Sequence, residues 1–225
     1  MVGIGLANAV EEFKAFGKAA AEDASVNSAL TFVDGPGGWD AVRISKRGAR
    51  YWNMLDARLR NAGLARNQVQ VIWLKQAIAG EDRPFPQNAR ALQNHLRAIV
   101  RLATARFPNL HVVYVSSRTY GGYAITHLNP EPFAYQSGFA AKWLVQDGIE
   151  GRLGKRVWVG WGPYLWTDGL AGRRDGLIWA CEDVQRDGTH PSPSGVRKVS
   201  RLLMEFFTAD PTTKPWFRAT GTDAP

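Results

Sequence analysis

Apolar residues in this chain fall into short runs separated by stretches with helical spacing. Val2 to Leu6, Leu30 to Val33, Val69 to Leu74, Leu110 to Val115 and Val157 to Val159 are such runs. As a set they do not alternate apolar with polar positions, which is the pattern of strands buried on both faces. Between them, Val10 to about Ala21, Tyr51 to Ala62, Ala89 to Ala105, Phe139 to Ile149 and Ser194 to Phe207 carry apolar positions at helical spacing, and Gly63 stops the second of these. Asp34-Gly35-Pro36-Gly37-Gly38 is a strong turn signal. Strand–helix alternation of this kind predicts an α/β fold, a three-layer α/β/α domain with a five-stranded parallel sheet covered on both faces. One domain over 1–225 is expected, because a chain of 225 residues is long enough for a sizeable core and short enough for a single one.

In open parallel sheets, ligands sit beyond the carboxyl ends of the strands. Ala7-Asn8, Gly37-Gly38, Lys75-Gln76 and Ser116-Ser117-Arg118 lie at or just past those ends. Two long connections, about 116–138 and 160–193, are the places to look for function. The second ends in Asp187-Gly188-Thr189-His190-Pro191-Ser192, just before the last helix. A carboxylate three residues before a histidine can fold back onto the imidazole Nδ1. It then fixes the ring's tautomer and stabilises the imidazolium that forms when the ring takes a proton. The same Asp equally serves as a turn cap and the same His as a surface residue, so the pair alone leaves both readings open.

Composition narrows the field. The net charge of +8 permits an anionic partner without requiring one, and no nucleic-acid recognition fold is evident; Arg43, Lys46, Arg47, Arg50, Arg58 and Arg60 read as a solvated helix face. Cys181 is the sole cysteine, which excludes an internal disulfide and a Cys-rich zinc site. His95, His111 and His127 show no metal-ligand spacing with one another or with the carboxylates, and there is no phosphate loop or dinucleotide fingerprint. No metal or cofactor is therefore expected. No apolar run approaches the roughly 20 residues of a membrane span, so membrane insertion is not expected. Met1-Val2-Gly3-Ile4-Gly5 reads as the tail of a buried strand and not as a secretory leader. Nine tryptophans suggest flat substrate-facing walls in addition to core.

The block Asp187-Gly188-Thr189-His190-Pro191-Ser192 followed by a helix resembles the last signature block of the SGNH (GDSL-type) hydrolases. In that family the Asp and His serve a nucleophilic Ser, in flavodoxin-like α/β domains that are mostly esterases or carbohydrate deacetylases. The resemblance implies that Gly5-Leu6-Ala7-Asn8 is the nucleophile turn after the first strand, and that Gly37-Gly38 supplies oxyanion-hole amides. Gln76, in Leu74-Lys75-Gln76-Ala77, stands where the family's third block offers an Asn, and is a further oxyanion candidate. Trp73-Leu74-Lys75-Gln76-Ala77, Ser116-Ser117-Arg118-Thr119-Tyr120, Leu128-Asn129-Pro130-Glu131-Pro132 and Trp161-Gly162-Pro163-Tyr164-Leu165-Trp166 are similar to a little-characterised bacterial branch. The implied activity is hydrolysis of short-chain, O-acetyl esters on a carbohydrate, with a small-molecule or carbohydrate ester as substrate. An extracytoplasmic setting is expected by resemblance only.

Position 7 departs from the pattern. Alanine cannot attack a carbonyl, so the chain as written is expected to bind without turnover. Three accounts stand side by side: a deliberate Ser replacement, a natural carbohydrate-binding pseudoenzyme, or a different nucleophile at Ser116 or Ser117. A Ser pair at a strand end also commonly satisfies backbone groups. Gly37 and Gly38 have a plain reading as turn residues. Arg118, with its planar fork, is a candidate for gripping an anionic or polyhydroxyl substrate, or else an ion-pair partner of Glu131 or Asp187. Ser117 is counted with it on the substrate side. Trp158, Trp161, Tyr164, Trp166 and Trp179 cluster in or beside the late connection, and Trp161 and Trp166 are the candidates for stacking on a sugar. The oligomeric state is not legible.

Overall fold

The computed structural model describes residues 1–219. In it the apolar runs become β1 (Val2–Gly5), β2 (Val33–Asp34), β3 (Val71–Lys75), β4 (Val112–Val115) and β5 (Trp158–Trp161). They form one parallel sheet in the order β2-β1-β3-β4-β5. The α/β class and the five-stranded parallel sheet are therefore as the hydrophobic pattern predicts. The helices are α1 (Ala7–Glu22), α2 (Ala41–Ile44), α3 (Arg50–Asn61), α4 (Gln87–Arg106), α5 (Phe133–Ile149), α6 (Pro193–Ala209) and α7 (Lys214–Phe217).

Two apolar clusters sandwich the sheet. Ile4, Ile72, Leu74 and Val113 point into one, together with Leu55, Leu96 and Leu144 from α3, α4 and α5. Trp73 and Tyr114 point into the other, with Phe13 and Phe16 of α1 and Leu203 and Phe207 of α6. Neighbours Ile72 and Trp73 thus bury opposite faces, the two-residue period of a strand covered on both sides. No helix among the described residues is long and apolar enough to cross a membrane.

Several boundaries differ from the periodicity reading, each for a local reason. α1 begins at Ala7 and not near Val10, because a single extended residue, Leu6, separates it from β1. That tight turn depends on Gly5, where a Cβ would stand 2.3 Å from the Ala9 side chain and 2.4 Å from the Lys75 carbonyl oxygen. α5 begins at Phe133 and not Phe139, and the helix runs through Gly138. Its first turn is held from upstream, where Glu131 Oε2 accepts from the Tyr135 amide at 2.9 Å. The second strand is confined to Val33–Asp34, since Leu30 is engaged in a turn with Asn27. The short helices α2 and α7 have too few turns to show a period.

The chain runs outward from β1 to β2, then returns to place β3 on the other side of β1. β1 and β3 therefore flank the point where the winding reverses, and their carboxyl ends open a crevice there.

Candidate active site

A cleft of about 260 Å³ lies in that crevice, and its lining includes Ala7, Asn8, Gly38, Arg118, Asn129 and His190. The late loop delivers His190. His190 Nδ1 donates to Asp187 Oδ2 at 2.5 Å, while Asp187 Oδ1 accepts from the backbone amides of Thr189 and His190, each at 3.0 Å. A carboxylate only accepts, so the ring proton sits on Nδ1 and Nε2 is the free nitrogen. Burial pushes the Asp187 carboxyl up, but the hydrogen bonds from His190 and the two amides outweigh it and hold the group below the usual carboxylate range.

The loop itself is pinned at both ends. The Gln185 amide donates to the His190 carbonyl at 2.8 Å, and the Ile125 amide donates to the Asp187 carbonyl at 3.1 Å. Ser192 caps α6, its Oγ accepting from the Ser194 and Gly195 amides, and it donates to the Glu182 carbonyl at 2.5 Å. Gly188 has φ +66°, and a Cβ there would lie 1.7 Å from the Tyr123 carbonyl oxygen. Only glycine fits between the Asp and the His without moving one of them.

Ala7, in the same cleft lining, is the first residue of α1, so its amide has no carbonyl one turn earlier to pair with. Gly37 lies against it: a Cβ on Gly37 would be 3.5 Å from the Ala7 Cα. Among the described residues the Gly37 and Gly38 amides make no backbone hydrogen bond. Three amides are thus available near position 7.

Other predicted residues are placed differently. Gln76 is buried, with Nε2 donating to the Trp39 carbonyl at 2.9 Å and Oε1 accepting from the Ala77 amide at 3.2 Å. It braces the loop after β2 and stands outside the cleft lining. Ser117 is fully buried, and its Oγ accepts from the Leu165 and Trp166 amides at 2.9 and 3.3 Å. Ser116 Oγ accepts from Trp73 Nε1 at 2.9 Å. Both hydroxyls serve the interior, the role in which a strand-end serine satisfies backbone and ring donors. Trp161 lines a second, open cleft of about 310 Å³ with Tyr135, Phe139, Lys142 and Tyr164. Trp166 donates from Nε1 to Glu131 at 2.8 Å and packs its ring against Tyr135, so it belongs to neither lining. Trp179 is core.

Arg118 lines the first cleft, yet makes no ion pair with Glu131, Asp187 or any other described carboxylate. Its Nη1 donates to Asn8 Oδ1 at 2.8 Å and its Nε to Asn129 Oδ1 at 3.2 Å. Below it, Lys75 Nζ donates to both carboxylate oxygens of Glu12, at 2.6 and 2.5 Å, with both side chains fully buried. Burial pushes Lys75 down to about 8 and pushes Glu12 up, each shift opposed by the other's charge. Burial also lowers Arg118. Two buried cations therefore share one buried anion under the cleft.

Asn8, Asp40, Arg43, Asn129 and Thr189 also line the cleft, with Leu6, Ala79 and Leu128; Arg43, read from the sequence as part of a solvated helix face, thus stands in the cleft wall. Asn8 adjoins a predicted strand end, so position alone offered a signal for it. Asn129 lies in an aperiodic, Pro-flanked loop, where the resemblance of Leu128-Asn129-Pro130-Glu131-Pro132 marked the segment but gave this side chain no role. No cluster of His, Cys, Asp and Glu able to hold a metal occurs among the described residues.

No protein-family model matches the chain, and no curated protein matches it in sequence. Two solved structures share the fold. A carbohydrate esterase family 3 from Talaromyces cellulolyticus superposes with a TM-score of 0.56 at 13% identity, covering 90% of this chain and 93% of that one. A serine-to-alanine mutant of an acetyl esterase, with acetate ion, gives 0.54 at 13% identity, covering 90% and 94%.

Proposed function

We propose that this chain is built as an SGNH-type ester hydrolase for short-chain, O-acetyl esters on a carbohydrate, with Ala7 at the nucleophile position withholding turnover. The observation that carries the reading is that a carboxylate-oriented imidazole faces the same cleft as the first residue of α1. The fold shared with a carbohydrate esterase and an acetyl esterase supports the ester class.

The chemistry follows from the groups present. A serine introduced at position 7 has its hydroxyl proton taken by His190 Nε2 as its Oγ bonds to the ester carbonyl carbon. Negative charge moves onto the carbonyl oxygen, where the amides of residues 7 and 37–38 are placed to donate. Collapse breaks the bond to the alkoxide, which takes the proton back from His190 and leaves as alcohol. Water then attacks the acyl-serine, His190 takes one water proton and returns it to the serine, and acetic acid is released, losing its own proton to solvent as acetate. Asp187 holds the imidazole in the tautomer that leaves Nε2 free.

The rival reading is a carbohydrate-binding protein on the same scaffold, and Ala7 favours it. The Asp187–His190 pair, whose ring lines the same cleft as Ala7, favours the hydrolase, because a binder has no use for an oriented base. The test is Ala7→Ser assayed on an aryl acetate and an acetylated oligosaccharide. Hydrolysis that appears with Ala7→Ser and vanishes on adding His190→Ala supports the hydrolase. An inactive Ala7→Ser chain that still binds the oligosaccharide supports the binder.

A further inference from the structure

We propose that Asn129 supplies a side-chain oxyanion donor through its Nδ2, and that Arg118 is the positioning residue that aims it. This rests on the hydrolase reading above, and goes beyond it by naming a donor from a loop where none was expected. The amide at the end of β3, Gln76, is turned toward Trp39 and leaves the cleft without a side-chain donor from that strand. Asn129, in the connection after β4, stands in the cleft wall instead, only 6% exposed.

The orientation of its carboxamide is set by chemistry. A guanidinium carries donors only, so the atom of Asn129 that meets Arg118 Nε at 3.2 Å must be the oxygen. The amide nitrogen then occupies the opposite end. It makes no hydrogen bond to any described protein group, although the residue is almost wholly enclosed. A fixed N–H pair with no protein partner, on a residue that lines the cleft, is a donor waiting for an acceptor.

Arg118 is itself held in place. Its Nη1 donates to Asn8 Oδ1, which is fixed by a second donor, the Ala9 amide at 3.0 Å. The clamp thus ties the loop carrying Asn129 to the first turn of α1, the turn that carries position 7. Its charge has no carboxylate of its own, since Glu12 is held by Lys75 on both oxygens. A cation drawing on the carboxamide oxygen polarises the N–H bonds and adds positive potential where the oxyanion develops.

Two measurements test this. In the chain with Ala7, ¹⁵N-labelled protein is titrated with sodium acetate against a sodium chloride control, following the Asn129 side-chain amide pair, assigned by its loss in Asn129→Asp. A saturable downfield shift of that pair with acetate alone supports the proposal. Absence of binding, or shifts at Thr189 and His190 that leave the Asn129 amide unmoved, overturns it. In the Ala7→Ser background, Asn129→Ala is expected to lower kcat for an aryl acetate about 10²- to 10³-fold with KM within about threefold, the signature of a lost oxyanion donor. Arg118→Met is expected to lower kcat as well, and to add little once Asn129 is Ala. An Asn129→Ala variant with unchanged kcat and an unchanged melting temperature overturns the assignment. If Ala7→Ser proves inactive while acetate still shifts the Asn129 amide, the hydrolase reading fails and the donor site stands.

Discussion

Asp187 and Ser117 show how differently two polar side chains beside the same crevice can be employed. Asp187 accepts from the His190 ring and from two backbone amides, so it fixes both the ring's tautomer and the loop's shape. In the Ala7→Ser background, Asp187→Asn is expected to lower kcat by about 10²- to 10⁴-fold by permitting the wrong tautomer. Steady-state kinetics check this, and an unchanged kcat would count against a triad. Ser117 points inward, and removing its Oγ strands the buried Leu165 and Trp166 amides. Ser117→Ala is expected to destabilise the chain by about 1–3 kcal/mol, read from urea unfolding midpoints; an unshifted midpoint would show those amides to be satisfied otherwise. This contrast marks the limit of sequence reading for the site. The Asp187–His190 motif is legible because three residues and a turn confine both groups. At strand ends the backbone position is legible, but a one-residue shift turns a side chain from cleft to core, and Ser117 and Gln76 fell on the core side while Arg118 fell on the cleft side.

The elements that hold the site are α1 and the loop before α6. α1 carries position 7 at its first turn and Glu12 one turn and a half later, and Glu12 is locked to Lys75 at the end of β3. Glu12→Gln leaves Lys75 and Arg118 as buried cations with no anion between them. Losing one partner of a buried pair typically costs about 3–5 kcal/mol, so the melting temperature is expected to drop markedly. An undiminished melting temperature would mean the pair is dispensable to the placement of α1. In the loop before α6, Gly188→Ala meets both a positive φ and the Tyr123 carbonyl. In the Ala7→Ser chain it is expected to reduce kcat more than it reduces stability, since the loop moves while the sheet does not. Wild-type kinetics in that variant would contradict the loop's assigned role. The helices were legible wherever several turns repeat an apolar face. The start of α5 was not, because Gly138 lies within it and its first turn is secured by Glu131, a contact with no periodic signature.

For the whole molecule, the parallel sheet was readable because its central strands β1 and β3 are buried on both faces and so read as apolar runs. Its strand order was not, although that order places β1 beside β3 and so decides where the crevice opens. Carboxylates tie the outer helices to one another: Asp56 accepts from Arg66 and Arg106, and Asp147 from Gln93, Arg97 and Arg152. Burial pushes both groups up, but those hydrogen bonds outweigh it and hold each below its ordinary 3.8. A folded-state value below the unfolded one contributes stability that is fully present above pH 3.8 and is lost as the pH falls through the folded values. Unfolding free energy is therefore expected to fall steeply under acid, and Asp147→Asn to flatten that dependence; an identical acid slope in the variant would assign it elsewhere.

The central claim is that position 7 is where the acyl group lands, and covalent capture tests it most directly. The Ala7→Ser chain is mixed with an aryl acetate, quenched in acid and digested, and its peptides are weighed. One acetyl group on the peptide that begins at Met1, absent when His190→Ala is added, is the result expected. Acetylation confined to the peptide holding Ser116 and Ser117, or none on any peptide while the ester is consumed, would contradict it.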